Sequence, residues 1–158
     1  MPDLVSVQSE KDIENIRELF KEYAESLGFD LAFQHFKEEF NELPSQYAPP
    51  DGCILLAKDK EKIAGCVALR KMDENICEMK RLYVRKAFRG KGIGKELSIV
   101  IIQKAREMGY KSMRLDTVPS MKQAIALYRS LGFKEIEPYR YNPIEGATFM
   151  ELEIDNKC

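Results

Sequence analysis

The 158-residue sequence lacks the features that mark membrane-spanning, secreted and metal-binding proteins. No apolar stretch approaches the ~20 residues that a transmembrane helix needs, and residues 1–12 lack the apolar segment of a signal peptide. The four cysteines do not have the spacing of a zinc knuckle or of a C-x-x-C redox pair. These absences predict a cytoplasmic protein with no bound metal, in which Cys53, Cys66 and Cys77 are small apolar strand residues.

An excess of charge of one sign is also missing. The chain has 25 Lys and Arg residues, 26 Asp and Glu residues and a formal net charge of −1. Nucleic acid and anionic membranes favour a clear basic excess, so neither is predicted as a partner. The positive charges are nevertheless concentrated, because residues 79–95 hold seven basic residues and no acidic one. This run overlaps a glycine cluster, and the overlap favours a local anion site over a merely solvated face.

Length and composition predict one compact domain over residues 1–158. Hydrophobic spacing predicts a first strand, a helix ending at Gly28, a second helix over Leu31–Leu43, and three antiparallel strands between residues 53 and 84. A helix, a strand, a further helix and two strands follow. The strand–helix–strand passage from Ile76 to Val118 requires a crossover, which predicts a parallel strand pair. The predicted fold class is therefore α/β, a mixed sheet with helices on both faces.

Three alternate glycines, Gly90, Gly92 and Gly94, lie between a predicted strand and a predicted helix. Glycine allows backbone N–H groups to converge on an anion, and the start of a helix adds a favourable dipole. The spacing differs from the G-x-G-x-x-G dinucleotide fingerprint and from the nucleotide P-loop, so both nucleotide interpretations fail. A phosphate site of another kind and a glycine-rich helix entry without a ligand remain as alternatives.

Residues 78–84 form a predicted strand, Arg89, Gly92 and Gly94 after it fit the loop pattern R/Q-x-x-G-x-G/A, and residues 124–133 form a later helix and turn. These three segments, in this order along the chain, resemble the strand, acyl-CoA loop and following helix of the GNAT N-acetyltransferases. The resemblance covers about residues 52–133. It implies the GNAT acyl-CoA N-acyltransferase fold, a mostly antiparallel sheet that splays at a parallel strand pair, and a single domain of this type.

The resemblance also implies acetyl-CoA as the cosubstrate. The family's pantetheine contacts fall on the backbone of Leu82, Tyr83 and Val84. The pyrophosphate contacts fall on the residues of the glycine turn, which are Arg89, Gly90, Lys91, Gly92, Ile93, Gly94 and Lys95. Many family members carry an asparagine that contacts the cofactor at the position of Met121, and Met121 is therefore left out of the predicted site.

Two residues are candidates for acid–base catalysis. Glu78 stands where a histone-acetylating branch of the family keeps its general base, and a half-buried glutamate is expected to have a raised pKa. The alternative is an ordinary glutamate on the strand surface. Tyr128 is the candidate acid for the coenzyme A thiolate, although it shares an apolar helix stripe with Ile125 and Leu131 and could serve packing alone. A backbone N–H near Leu82 is expected to polarise the thioester carbonyl.

The acceptor is less well defined. By resemblance, Arg140 and Tyr141 face it. Arg140 can bind the carboxylate of an amino-acid-like substrate, and the alternative is an ordinary surface arginine. The single histidine, His35, is interpreted as a neighbour of aromatic side chains without a catalytic role. A small-molecule amine is the predicted acceptor. A protein N-terminus or lysine, a non-catalytic acyl-CoA sensor, and a homodimeric assembly all remain open.

Overall fold

The computed structural model describes residues 2–27, 41–118, 121–142 and 144–154. The elements in chain order are β1 (Asp3–Ser6), α1 (Glu10–Leu27), β2 (Cys53–Asp59), β3 (Lys62–Lys71), β4 (Ile76–Val84), α2 (Ile93–Glu107), β5 (Ser112–Thr117), α3 (Lys122–Ser130), β6 (Lys134–Ile136) and β7 (Thr148–Glu153). Short 3₁₀ helices lie at Ser45–Tyr47 and Lys86–Phe88. Most of the helix predicted over Leu31–Leu43, with His35, lies outside the described residues.

The strands form one seven-stranded sheet in the order β1-β2-β3-β4-β5-β7-β6. Neighbouring strands are antiparallel except β4 and β5, which are parallel and joined by the α2 crossover. The prediction of a mixed sheet with one parallel pair is thus confirmed. The parallel register runs only from Ile76 opposite Ser112 to Glu78 opposite Arg114. Because β4 continues to Val84 without further pairing to β5, the sheet opens between these strands beyond Glu78.

Two apolar cores cover the two faces of the sheet. On one face, α1 buries Ile16, Leu19 and Phe20, which recur at helical spacing, against alternate residues of β2 and β3. On the other face, α2 and Tyr128 of α3 pack against a larger cluster that includes Cys77, Met79 and Met113. Helices on both faces are confirmed. In the described part of the chain, no helix is long and apolar enough to cross a membrane.

Strand β4 is irregular just before the cavity wall described below. Its register against β3 shifts between Cys66 and Ala68, which pair with Tyr83 and Lys80. Within this bulge the buried Arg81 has a φ of 61°, a left-handed conformation that is uncommon for a residue other than glycine. A bulge increases local twist and redirects the strand. The end of β4 therefore runs in a different direction from the first part of β4, which pairs with β5.

Close backbone packing at Gly65 holds β3 against this end of β4. A Cβ atom at Gly65 would lie 2.4 Å from the Tyr83 carbonyl oxygen. We therefore expect Gly65→Ala to lower the free energy of unfolding by about 1–3 kcal/mol, because the backbone must shift to make room. Gly94→Ala is the control, since its added carbon would meet only a side-chain atom of Val84 at 3.7 Å. Urea unfolding measures both, and equal midpoints for the two variants would contradict the predicted close approach.

Candidate functional site

A cavity of about 570 Å³ lies beside the open end of β4. Its walls come from the end of β4, the glycine turn, the start of α3 and the end of α1. The lining residues are Tyr23, Ser26, Leu82, Tyr83, Val84, Phe88, Arg89, Gly90, Gly92, Ile93, Gly94, Met121, Lys122, Gln123, Ala124 and Leu127. The structure thus brings together eight of the ten residues predicted to bind the cofactor; Lys91 and Lys95 are exposed beside the cavity and do not line it.

The glycine turn has the conformation that its sequence requires. Gly90 and Gly92 have φ values of 81° and 80°, and no atom lies within 4 Å of a Cβ placed on either residue. Gly92 directly precedes α2 and accepts the hydrogen bond from the Glu96 N–H. The first N–H groups of α2 therefore lack helical partners at the cavity wall. Arg89 is held to β4 by a 2.9 Å hydrogen bond from its Nε to the Val84 carbonyl oxygen.

The start of α3 also lines the cavity, which the sequence analysis missed. Lys122 and Gln123 lie in the first turn of that helix, where the dipole also favours an anion. Met121, which was left out of the predicted site, is one of the residues that line the cavity. A basic residue in the first turn of a helix was the available signal for Lys122.

The end of α1 forms a further wall that sequence reasoning missed. Tyr23 packs edge-to-face on Tyr83, with ring centroids 6.2 Å apart, and the Arg81 guanidinium lies 5.7 Å from the Tyr23 centroid. Arg85 forms an ion pair with Glu22 at 2.7 Å, which also attaches α1 to the end of β4. Acidic residues on α1 opposite the basic run of β4 were the signal for this docking.

Tyr128 is buried on the α2 face of the sheet, and its ring centroid lies 5.7 Å from that of Phe133. The structure gives its hydroxyl no hydrogen-bond partner among the described residues. Burial raises the pKa of Tyr128, with smaller contributions from Tyr23 and Asp116, so the hydroxyl keeps its proton at neutral pH. The ring packs in the core while the hydroxyl remains available as a donor.

Glu78 lies at the point where β4 and β5 part, and its side chain is completely buried. One carboxylate oxygen, Oε1, accepts a 2.7 Å hydrogen bond from Arg70 Nε. The other, Oε2, accepts hydrogen bonds from Arg140 Nη2 and, at 2.7 Å, from the Tyr139 hydroxyl. Because Cys77 and Met79 face the α2 core, Glu78 faces the opposite side of the sheet.

The prediction that the pKa of Glu78 is raised is wrong. Burial alone would raise it, but the charges of Lys80, Arg140 and Arg70 and the hydrogen bond from Arg140 hold the pKa of Glu78 below its ordinary value. Arg140 follows Glu78 by 62 residues, and Arg70, eight residues before Glu78, comes opposite it only through the β3–β4 register, so the local sequence pattern does not reveal these effects. Glu78 is consequently ionised at neutral pH, and both its oxygens already have donors.

The two predicted acceptor residues differ in their surroundings. Arg140 is only 20% exposed and is brought to Glu78, whereas Tyr141 is 77% exposed. Tyr139, between β6 and β7, was not predicted as a site residue. Its ring packs on Phe149 at a centroid distance of 5.0 Å, and its hydroxyl reaches Glu78. Tyr139 therefore anchors to the sheet the loop that carries Arg140.

Comparison with known proteins agrees with this architecture. The acetyltransferase (GNAT) family profile matches residues 13–133. An uncharacterised N-acetyltransferase of Schizosaccharomyces pombe is 40% identical over 158 residues, covering 97% of each chain. The N-acetylaspartate synthetase of Xenopus tropicalis is 35% identical over 105 residues, which cover 66% of this chain and 39% of that protein.

A solved structure shows the same fold. The GNAT family acetyltransferase of Elizabethkingia anophelis, crystallised with acetyl-CoA bound, is 29% identical with a TM-score of 0.56, and the match covers 65% of this chain and 76% of that one. The opened α/β sheet with its glycine turn, together with these relatives, defines the chain as an acyltransferase. More narrowly, the chain belongs to the GNAT family of acetyltransferases.

The lowered pKa of Glu78 predicts a pH dependence of stability. A carboxyl group whose pKa is lower in the folded than in the unfolded protein stabilises above its unfolded pKa, and this contribution is lost as the pH falls through the folded pKa. Glu78→Gln leaves the guanidinium groups of Arg70 and Arg140 without their anionic partner. It should therefore lower the free energy of unfolding by about 3–5 kcal/mol at neutral pH. The loss of stability below about pH 4.5 should then be shallower than in the wild type.

Urea unfolding at several pH values measures this dependence. Glu74→Gln is the matched control, because Glu74 is 88% exposed and its ion-pair partner among the described residues is Lys71, so its removal should leave stability nearly unchanged. A Glu78→Gln variant with the wild-type acid slope would show that the lowered pKa of Glu78 contributes nothing to acid unfolding.

Proposed function

We propose that this protein transfers an acetyl group from acetyl-CoA to the primary amine of a small, amino-acid-like acceptor. The observation that carries the proposal is the cavity between the end of β4 and the start of α3, with the glycine turn at its wall. The acetyl-CoA bound to the Elizabethkingia anophelis relative supports the donor. The relative whose name states that it makes N-acetylaspartate supports an amino-acid-like acceptor.

The residues present fit acetyl-CoA. The open space at Gly90 and Gly92 suits a phosphate group against backbone N–H groups at the start of α2, and Arg89 and Lys122 add positive charge. Leu82, Val84 and Leu127 supply apolar walls for a pantetheine chain. Acetyl-CoA, when bound, supplies an acetyl thioester that an amine can attack.

The proposed chemistry assigns one proton transfer to each of two residues. Glu78, as the ionised carboxylate, receives a proton from the acceptor's ammonium group, and a backbone N–H near Leu82 polarises the thioester carbonyl. The bulge at Arg81 supports the role given to the backbone N–H near Leu82, because it takes this part of β4 out of regular pairing with β3. Tyr128 donates its hydroxyl proton to the departing sulfur, and the resulting phenolate takes the second proton of the attacking nitrogen as the amide forms. The C–N bond forms as the C–S bond breaks, and both electrons of the latter remain on sulfur.

Gly92→Asp tests the donor site. The aspartate adds bulk and negative charge where the pyrophosphate is proposed to lie, so calorimetry should detect no coenzyme A binding at ~1 mM. Gly109→Asp is the matched control, because Gly109 also has a positive φ, 93°, with no atom within 4 Å of an added Cβ, but lies at the other end of α2. It should bind like the wild type. Undiminished binding by Gly92→Asp would rule out the proposed phosphate position.

Tyr128→Phe tests the proposed acid. The substitution keeps the ring that packs on Phe133 and removes only a hydroxyl without a described partner, so stability should change little. The kcat should fall by about 10²-fold or more. Tyr110→Phe is the control, because the buried Tyr110 hydroxyl donates to the Asp51 carbonyl oxygen at 2.6 Å outside the cavity. It should lose stability and keep its kcat. Full activity of Tyr128→Phe would assign Tyr128 to packing alone.

A further inference from the structure

The partners of Glu78 differ in how firmly the fold holds them. Arg70 projects from the central strand β3 and lies directly opposite Glu78 in the β3–β4 register. Tyr139 is held by its ring against Phe149. Arg140 lies on the connection between β6 and β7, outside any strand, and reaches Glu78 through a terminal nitrogen. Arg140 is therefore the partner that can leave Glu78 while the other two stay.

Arg140 also has unused capacity for hydrogen bonds. A guanidinium group carries five N–H donors in a planar fork that fits a carboxylate bidentately. Among the described residues, Glu78 is the only acceptor of a hydrogen bond from Arg140, and it takes one from Nη2. The remaining contact of Arg140 is with the Tyr139 ring, at 5.0 Å from the centroid. A second carboxylate that offers two oxygens to this fork is a stronger ligand than the single oxygen of Glu78.

The surrounding charges do not supply such a carboxylate. Arg114, the next guanidinium on this face, has its own partner in Glu151 at 2.9 Å. Asp116 accepts a hydrogen bond from Asn142, and its charge interacts with Arg140 less strongly than that of Glu78 does. The charge of Lys80 also acts on Glu78. Two guanidinium groups, those of Arg70 and Arg140, therefore share one buried carboxylate. An anionic acceptor would meet the positive charge of Arg140 already in place.

We propose that the acceptor amine carries a carboxylate, and that this carboxylate takes Arg140 from Glu78 when the acceptor binds. This inference rests on the proposed function. The exchange leaves Glu78 with Arg70 and Tyr139, and it opens the position on Oε2 that had accepted the hydrogen bond from Arg140. The ammonium group of the acceptor then gives its proton to Oε2, and the neutral amine attacks the thioester carbonyl carbon. An amine without a carboxylate leaves Arg140 on Glu78, where the oxygens are occupied.

A comparison of acceptors tests the substrate class on the wild-type enzyme. Each standard amino acid is offered as the free acid and as its amide, with acetyl-CoA, and the release of free thiol is measured. The amide has the less basic amine, so chemistry alone favours it. The inference predicts the opposite for the preferred amino acid, with kcat/KM for the free acid at least about tenfold higher.

Variants at Arg140 separate the exchange from a structural role. Arg140→Ala should raise the KM of the free acid by about tenfold or more and should raise the kcat of the amide, because Glu78 is released without the exchange. Arg140→Lys keeps the charge and should restore part of the preference for the acid. Arg114→Ala is the matched control, because Arg114 also lies over the Tyr139 ring, 5.4 Å from the centroid. Its loss should change kcat/KM for the acid and for the amide by the same factor.

Three outcomes would overturn the inference. The first is an equal kcat/KM for acid and amide with the wild-type enzyme. The second is an equal fall in kcat/KM for acid and amide in Arg140→Ala. The third is a lack of turnover with every amino acid and amide while coenzyme A still binds by calorimetry. The proposed function fails separately, through the absence of coenzyme A binding to the wild-type protein. The wild-type comparison stands even where a variant does not fold.

Discussion

The site depends on one backbone constraint, the early end of pairing between β4 and β5. Parallel strands need a crossover, and α2 supplies it, so the glycine turn before α2 necessarily lies next to the end of β4. Beyond Glu78 the edge of β4 that faces β5 no longer has a strand partner, and its backbone N–H and C=O groups must be satisfied in another way. A ligand in the cavity can satisfy them. The opening, the turn and the cavity are thus consequences of the same topology.

The charge at the point of parting follows from the same constraint. A buried carboxylate is stable only with partners, and Glu78 obtains them from β3 and from the connection between β6 and β7. The network therefore attaches a connection near the sheet edge to the central strands. Arg85 and Glu22 perform a similar function on the other side of the opening by attaching α1 to the end of β4. Two groups of charged contacts, from separate parts of the chain, attach the surroundings of the opened sheet to β4.

The features predicted correctly from the sequence are those encoded locally. The three antiparallel strands and the glycine turn follow from short runs of residues, and the parallel pair follows from the crossover between two predicted strands. The structure confirms the antiparallel strands and the parallel pair, and it places most of the turn at the cavity wall. The burial of Glu78 depends on Arg70 and Arg140, which approach only in the folded chain, so local pattern gave its pKa the wrong direction. Tyr23 and Ser26 line the cavity because the end of α1 packs beside the end of β4, where Tyr23 contacts Tyr83. No periodicity in the sequence specifies that contact.

The two proposed proton-transfer residues lie on opposite faces of the sheet. Strand alternation directs Glu78 away from the α2 core, whereas Tyr128 is part of that core. Their environments also change their pKa values in opposite directions: clustered cations keep Glu78 ionised, and burial keeps Tyr128 protonated. Each residue therefore starts in the protonation state that its proposed role requires. A proton taken on one face and returned on the other requires that the reacting groups span the sheet. The two catalytic assignments therefore require that the reacting groups pass through the opening between β4 and β5, which begins beyond Glu78.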